Sequence, residues 1–271
     1  MFSDITIGQY YKENSFVHRL DARTKIILTV MFIAMLFMCK NFLSLALSVA
    51  FVIVSVFASK VPLRMFLKSL KPIVPVVIFT ALLNMFYIGG EKVLFSVWKI
   101  SITEEGILTA VFFALRIVFL IVSSSILTYT TVPTDLTDAI EKLLSPLKLL
   151  HIPVHSFAMM MTLALRFIPT LIEEIEKITN AQKARGADLD GGSLMEKIKA
   201  VVPVIIPLFV SSFKRASDLA FAMTCRCYSG GDGRTRMKQM KMKAGDFVSI
   251  LFFVVGIAGV IALNICFGEI I

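Results

Sequence analysis

The chain carries five apolar runs, over residues 26–39, 42–59, 73–88, 106–130 and 247–267. A helix satisfies its own backbone hydrogen bonds, so it is the form such runs take in a bilayer. The first two are short against the roughly 20 helical residues that cross a hydrocarbon core. Lys40-Asn41 between them reads as the turn of a hairpin. Pro72 and Pro75 predict a kink at the start of the third run. The pattern predicts an all-α, polytopic membrane protein with about five transmembrane helices.

Residues 132–246, between the fourth and fifth runs, differ in kind. They are too polar in places to cross a membrane and too apolar for a free soluble domain. Residues 133–150 read as a short amphipathic helix interrupted at Pro146, and 153–186 as a longer one. In the longer helix Met161, Ala164, Ile168, Leu171, Ile175 and Ile178 recur at spacings of three and four. Glu173, Glu176, Asn180 and Lys183 fall on another face, and Pro169 predicts a bend. Gly191-Gly192 marks a turn, after which 193–227 repeat the plan with Pro203 and Pro207 inside. The predicted organisation is a membrane region over 1–131, a region of long amphipathic cytoplasmic coupling helices over 132–245, and a final transmembrane helix over 246–271. Such helices suit a place half in the membrane interface and half against another protein.

Composition agrees with the pattern. Of 271 residues, 57% are hydrophobic, with 23 Phe and 14 Met, more apolar surface than a soluble domain of this size has interior to hide. The net charge of +9 changes the picture through its placement. With the N-terminus cytoplasmic, the outer loops hold only Lys40, Lys92 and Lys99, and Arg116 lies within a span. All other Lys and Arg then fall on the cytoplasmic side, so the positive-inside bias predicts N-terminus in and C-terminus out. The basic stretch Arg234, Arg236, Lys238, Lys241 and Lys243 reads as a topology anchor on anionic lipid. No basic patch is interleaved with aromatics, so no nucleic-acid partner is expected. Residues 1–25 mix acids and bases and lack the apolar core of a cleavable signal.

Candidate chemistry is sparse. Cys39, Cys225, Cys227 and Cys266 show no framework spacing, and Cys225-x-Cys227 lacks a second ligand pair. His151 and His155 are four apart with Pro153 between them, which spoils a helical metal pair. Asp135-x-x-Asp138 resembles the carboxylate pair of a magnesium-dependent membrane transferase, with Asp188-x-Asp190 as the only candidate second cluster. Acids favouring the first turn of a helix explain the first pair as well. Arg116 needs an acid, a carbonyl or the interface to sit in a span. No acid lies within any run, which argues against a self-sufficient secondary carrier. No G-x-x-x-x-G-K-[S/T] occurs, so any ATP that drives this chain is bound elsewhere, and no cofactor is expected in it.

Two triplets remain, Ala184-Arg185-Gly186 and Cys225-Arg226-Cys227, each closing one of the long amphipathic stretches. Each can be a helix stop, the first with Gly186 as a left-handed cap and Arg185 favouring the negative helix end. Each can also be a docking tip, where small neighbours let a guanidinium enter a partner's groove and meet a carboxylate.

The whole chain resembles the transmembrane coupling (T) component of energy-coupling factor transporters. Residues 15–25, Ser-Phe-Val-His-Arg-Leu-Asp-Ala-Arg-Thr-Lys, are similar to that family's S-x-x-H-R-L-D-P-R-T-K opening, with Ala22 where proline is usual. Ala184-Arg185-Gly186 resembles the first arginine signature. Cys225-Arg226-Cys227-Tyr228 resembles the second, usually A-R-G-Y, with cysteines around the arginine. The resemblance implies a non-catalytic subunit in a prokaryotic cell membrane, serving vitamin or transition-metal uptake. It implies two ABC-type ATPase subunits that bind the ATP, one docking Arg185 and the other Arg226. It also implies a substrate-binding membrane subunit on the apolar side of the same helices, where Met160, Met161, Ala164 and Ile168 are the expected contacts.

Overall fold

A computed structural model of the chain describes residues 10–87, 93–97, 100–146, 153–187, 191, 193–230 and 240–267. The hairpin expected at Lys40-Asn41 is present, joining α1 (Ala22–Met38) to α2 (Phe42–Ser59). Then come α3 (Leu63–Leu70), α4 (Val74–Tyr87), the antiparallel strands β1 (Val93–Val97) and β2 (Ile100–Thr103), and α5 (Glu104–Thr130). After these follow α6 (Pro133–Leu143), α7 (Val154–Ala184), α8 (Leu194–Cys225) and α9 (Ala244–Phe267). The architecture is helical as expected, and the small β-hairpin is the one addition among the described residues. The chain forms two compact units, Gly8–Leu136 with Gln239–Ile271, and Thr137–Lys238.

The membrane-spanning set differs from the one read off the apolar runs. Five helices are long and apolar enough to cross a membrane: α2, α5, α7, α8 from Ile198, and α9 to Cys266. α3 and α4 make a sixth if counted as one span, bent by 59° at their break. That break falls at Pro72, while Pro75 sits in the first turn of α4, where its missing N–H is not needed. The run at 26–39 forms α1, which at 17 residues is below the length of a candidate span. α7 and α8, expected to be too polar to cross, satisfy the length and composition test. The charges of α7 gather mostly toward its end and those of α8 lie on either side of its middle, so each keeps a long apolar stretch. α6 ends before Pro146, whereas α7 runs on through Pro169 and α8 through Pro203 and Pro207.

In the first unit α1, α2, α5 and α9 pack on one another, with α3 and α4 against α5. Phe32, Met35 and Leu36 of α1 meet Leu45 and Val52 of α2, Phe112 of α5 and Val260 of α9 in a buried core. Gly256 allows the close approach of α9 to α2, since a Cβ there would come within 2.6 Å of the Phe51 ring. The outward faces of α4 and α9 leave Phe79, Leu83, Val248 and Leu251 exposed, as a lipid-facing surface requires.

The N-terminal motif is a latch that ties the helix ends of this unit together. Asp21 caps α1 by accepting the Arg23 N–H at 3.0 Å, and its carboxylate pairs with the Arg23 guanidinium at 2.8 Å. The Asp21 N–H donates to Asp246 Oδ1 at 2.9 Å, and Asp246 Oδ2 accepts the Lys243 N–H at 2.6 Å, fixing the start of α9. Buried Lys25 donates to the Thr130 carbonyl at 2.7 Å, supplying a cation to the C-terminus of α5. His18 Nε2–H donates to the Tyr11 carbonyl at 2.9 Å, which leaves Nδ1 to accept the Ser15 hydroxyl at 2.7 Å. Tyr11 in turn donates its N–H to the Tyr129 carbonyl near the end of α5.

Two outcomes are expected. Burial holds the His18 imidazole below its ordinary value of 6.5. The unfolded chain therefore binds the proton more readily, and stability present above about pH 6.5 is lost as pH falls toward the folded-state value. Thermal unfolding in detergent should shift to lower temperature on acidification, with a smaller shift in His18→Gln. Ala22 is the first helical position after an extended Asp21, a place where proline is pre-organised. Ala22→Pro should leave the fold intact and stabilise it by about 0.5 kcal/mol in the same assay.

Candidate functional site

The two arginine triplets have the same backbone. Arg185 is the C-cap of α7, followed by Gly186 at φ +89°. The Gly186 N–H donates to Lys183 and the Ala187 N–H to Gln182, both at 3.0 Å. Arg226 is the C-cap of α8, followed by Cys227 at φ +57°. The Cys227 N–H donates to Thr224 at 2.9 Å and the Tyr228 N–H to Met223 at 3.0 Å. Both are Schellman caps with arginine at the same position. The stop and the tip are therefore one structure: the left-handed residue turns the chain away and leaves the arginine at the helix end. Arg185 and Arg226 are both exposed, as are Ala184, Gly186, Cys225 and Cys227, and neither arginine forms an ion pair among the described residues.

The structure does not bring the two arginines together. Glu174 of α7 accepts from Arg215 Nη2 of α8 at 2.7 Å and from the Ser211 hydroxyl. Toward the end of α7, Gln182 donates to the Pro203 carbonyl near the start of α8. Toward the start of α7, Met159 Sδ accepts the Tyr228 hydroxyl at 2.8 Å, just past the end of α8. Partner numbers rise on one helix as they fall on the other, so α7 and α8 are antiparallel. Arg226 thus lies by the first turns of α7, and Arg185 at its far end. At about 1.5 Å per residue, that separation is on the order of 40 Å.

Of the expected contact residues on α7, Met160, Met161 and Ala164 are exposed and Ile168 is half-buried. Reading the sequence for that stripe missed a longer one on α8. Met195, Ile198, Val202, Ile205, Phe209 and Phe213 are all exposed, at spacings of three and four. The Phe209 and Phe213 rings lie 4.8 Å apart. The periodicity that found the α7 stripe was available for this one too.

The other candidates resolve into structural roles or fall outside the described residues. Arg116 Nη2 donates to the Cys39 carbonyl at 2.5 Å, and its guanidinium sits 4.7 Å from the Phe112 ring and 5.2 Å from that of Phe113. It finds the carbonyl it needs, at the α1–α2 turn. Asp135 stands in the first turn of α6, as the helix-dipole reading expects, while Asp188 and Asp190 lie outside the described residues. His155 Nδ1 pairs with Glu141 at 3.1 Å, joining α7 to α6, and His151 lies outside the described residues. No cluster of His, Cys, Asp and Glu able to hold a metal occurs among the described residues. Cys227 adopts a left-handed conformation that disfavours side chains with a Cβ. Cys227→Gly should preserve the cap and raise stability by at most about 1 kcal/mol, read from thermal unfolding of the purified chain.

Known proteins resemble the chain along most of its length. The cobalt transport protein family CbiQ matches residues 13–238. The energy-coupling factor transporter transmembrane protein EcfT of Clostridium kluyveri is 50% identical over 252 residues, 93% of each chain. That of Ruminiclostridium cellulolyticum is 48% identical over 267 residues, covering 98% of this chain and all of its own. That of Bacillus subtilis is 43% identical over 255 residues, 94% of this chain and 96% of its own. With matches spanning both units, the chain belongs to the EcfT family: it is a multi-pass, non-catalytic transmembrane component of energy-coupling factor transporters.

Proposed function

We propose that the α7–α8 pair is the transmission element of such a transporter, with Arg185 and Arg226 as the docking points for two ABC-type ATPase subunits. The observation that carries this reading is the pairing of two identically capped, exposed arginines with an antiparallel helix arrangement. Two tips on the order of 40 Å apart suit two separate partners better than one shared groove. ATP bound by those partners would bring the ATPases together, and the tips would carry that motion into α7 and α8. A substrate-binding membrane subunit, taking a vitamin or a transition metal, would rest on the apolar stripes of the same two helices. Met160, Met161, Ala164 and Ile168 would contact it from α7.

Although α7 and α8 are long and apolar enough to span, their register favours a place along the cytoplasmic membrane surface. Gln182 opposite Pro203 sets the charged half of α7, Glu173 to Lys183, beside the apolar stretch of α8 around Val201–Val210. Met159 opposite Tyr228 sets the apolar start of α7 beside the arginine tip of α8. A spanning hairpin would place charges of one helix at every depth where the other is apolar, at about 2.5–3.5 kcal/mol for each near the bilayer centre. Lying in the interface, the same pair turns stripes toward lipid or a partner and its charges toward water. With α1 counted as a fifth crossing beside α2, α3–α4, α5 and α9, the positive-inside bias then puts the N-terminus and both arginine tips in the cytoplasm and the C-terminus outside.

The double variant Arg185→Ala with Arg226→Ala is the test. Both side chains are exposed and both caps are made by backbone, so folding and membrane insertion should be unchanged. Co-purification of the ATPase subunits and ATP-driven uptake should be lost, and each single variant should weaken both. Normal uptake by the double variant would falsify the proposal.

A further inference from the structure

Residues 22–90 contain no Asp or Glu, yet four bases, Lys60, Arg64, Lys68 and Lys71, fall together on α3 and its two flanks. All four are exposed, and none forms an ion pair among the described residues. Arg64 stands in the first turn of α3, the positive helix end, which favours an anion. Lys60, at φ +56°, turns the chain out of α2, and α3 then packs by one face. Phe66 is buried with its ring edge-on to that of Tyr129 at 5.5 Å, and the Tyr129 hydroxyl donates to the Met65 carbonyl at 3.1 Å. Leu63 and Leu67, four apart, form a strip that is 61% and 64% exposed. Arg64 and Lys68, also four apart, form the strip beside it, away from Phe66.

This helix stands at one end of its unit. It follows the finish of α2 and lies on Tyr129, in the last turn of α5. α5 has 27 residues, or about 40 Å of helix against a hydrocarbon core of about 30 Å, so its ends reach the interface. α3 is turned 59° from α4 and is not its straight continuation. Four cations disfavour the hydrocarbon, and two exposed leucines disfavour water. The boundary between the two satisfies both, with acyl chains for the leucines and phosphates for the bases. A protein covering would need its own cluster of acids opposite this face, whereas an anionic leaflet supplies phosphates and acyl chains at these two heights.

We propose that α3 is an interfacial anchor at the entry to the α4 crossing, seating Leu63 and Leu67 among acyl chains and binding anionic phospholipid headgroups through Lys60, Arg64, Lys68 and Lys71. The anchor sets the depth of the turn from α2 to α4 and, through Tyr129, that of the end of α5. This assignment is independent of the arginine tips and of their partners, and it holds for whichever leaflet this end faces.

The experiment reads fluorescence from Leu67→Trp in a Trp98→Phe background, Trp98 being the only tryptophan of the chain. The full chain is reconstituted in phosphatidylcholine vesicles holding a small fraction of brominated phosphatidylglycerol, or of brominated phosphatidylcholine with the same chains. Phosphatidylglycerol should quench with an apparent affinity about fivefold higher. Bromines near the headgroup end of the chains should quench more than bromines near their tips. Lys60→Gln, Arg64→Gln, Lys68→Gln and Lys71→Gln together should abolish the preference and leave the depth pattern and the unfolding temperature unchanged. Salt at about 1 M, where charges are screened within about 3 Å, should abolish it with the four bases in place. Equal quenching by the two lipids, a preference that survives salt or the Gln variant, or stronger quenching from the chain tips would each overturn the assignment. No quenching by either lipid would mean that protein covers Leu67, and would overturn it too.

Discussion

Glu174 sets the register on which the rest of the α7–α8 pair depends. It accepts from both Arg215 and Ser211 of α8, so one carboxylate is shared by two donors one turn apart. Half-buried, the Glu174–Arg215 pair is worth more than a surface contact and is directional in a way that apolar stripes are not. A one-turn slip of α8 would keep the same face but leave only one of the two donors opposite the carboxylate, and would move Tyr228 off Met159. With the register held, the caps at Arg185 and Arg226 are carried to opposite ends of a stiff pair.

The other unit solves a different problem, the unsatisfied backbone groups where its helices end. Its N-terminal motif gathers several such ends in one place. Asp21 and Asp246 serve N–H groups at the starts of α1 and α9, while Lys25 serves a carbonyl at the end of α5. Each charge stands at the helix end whose dipole favours it. The motif is thus a structural device in this protein, and its chemistry is that of capping. Arg116 does the same at the α1–α2 turn, where its guanidinium serves the Cys39 carbonyl.

Much of this was legible along the chain. Local geometry decides where a helix stops, so Lys40-Asn41, the kink at Pro72 and the triplets at Arg185 and Arg226 could be read from a few residues each. The set of candidate spans was read less well, because the charges toward the end of α7 and on either side of the middle of α8 drew attention from the apolar stretch of each. The α8 stripe from Met195 to Phe213 was readable by spacing and was passed over. The bond of Lys25 to Thr130 was not readable at all. It joins residues 105 positions apart, and nothing near Lys25 in sequence announces that the end of α5 stands beside it.

By itself, then, the sequence determined a helical membrane protein with two arginine-tipped amphipathic helices and no P-loop motif. Hydropathy, helical period and cap chemistry act over a few turns, and a few turns are what a sequence displays directly. Only the tertiary structure decided that α7 and α8 run antiparallel, that their tips stand far apart, and that the latch surrounds a buried cation. Those facts rest on contacts between residues tens to hundreds of positions apart, such as Glu174 with Arg215 and Asp21 with Asp246. The energy of such a pair depends on where the intervening chain places its partners, and no local pattern carries that information.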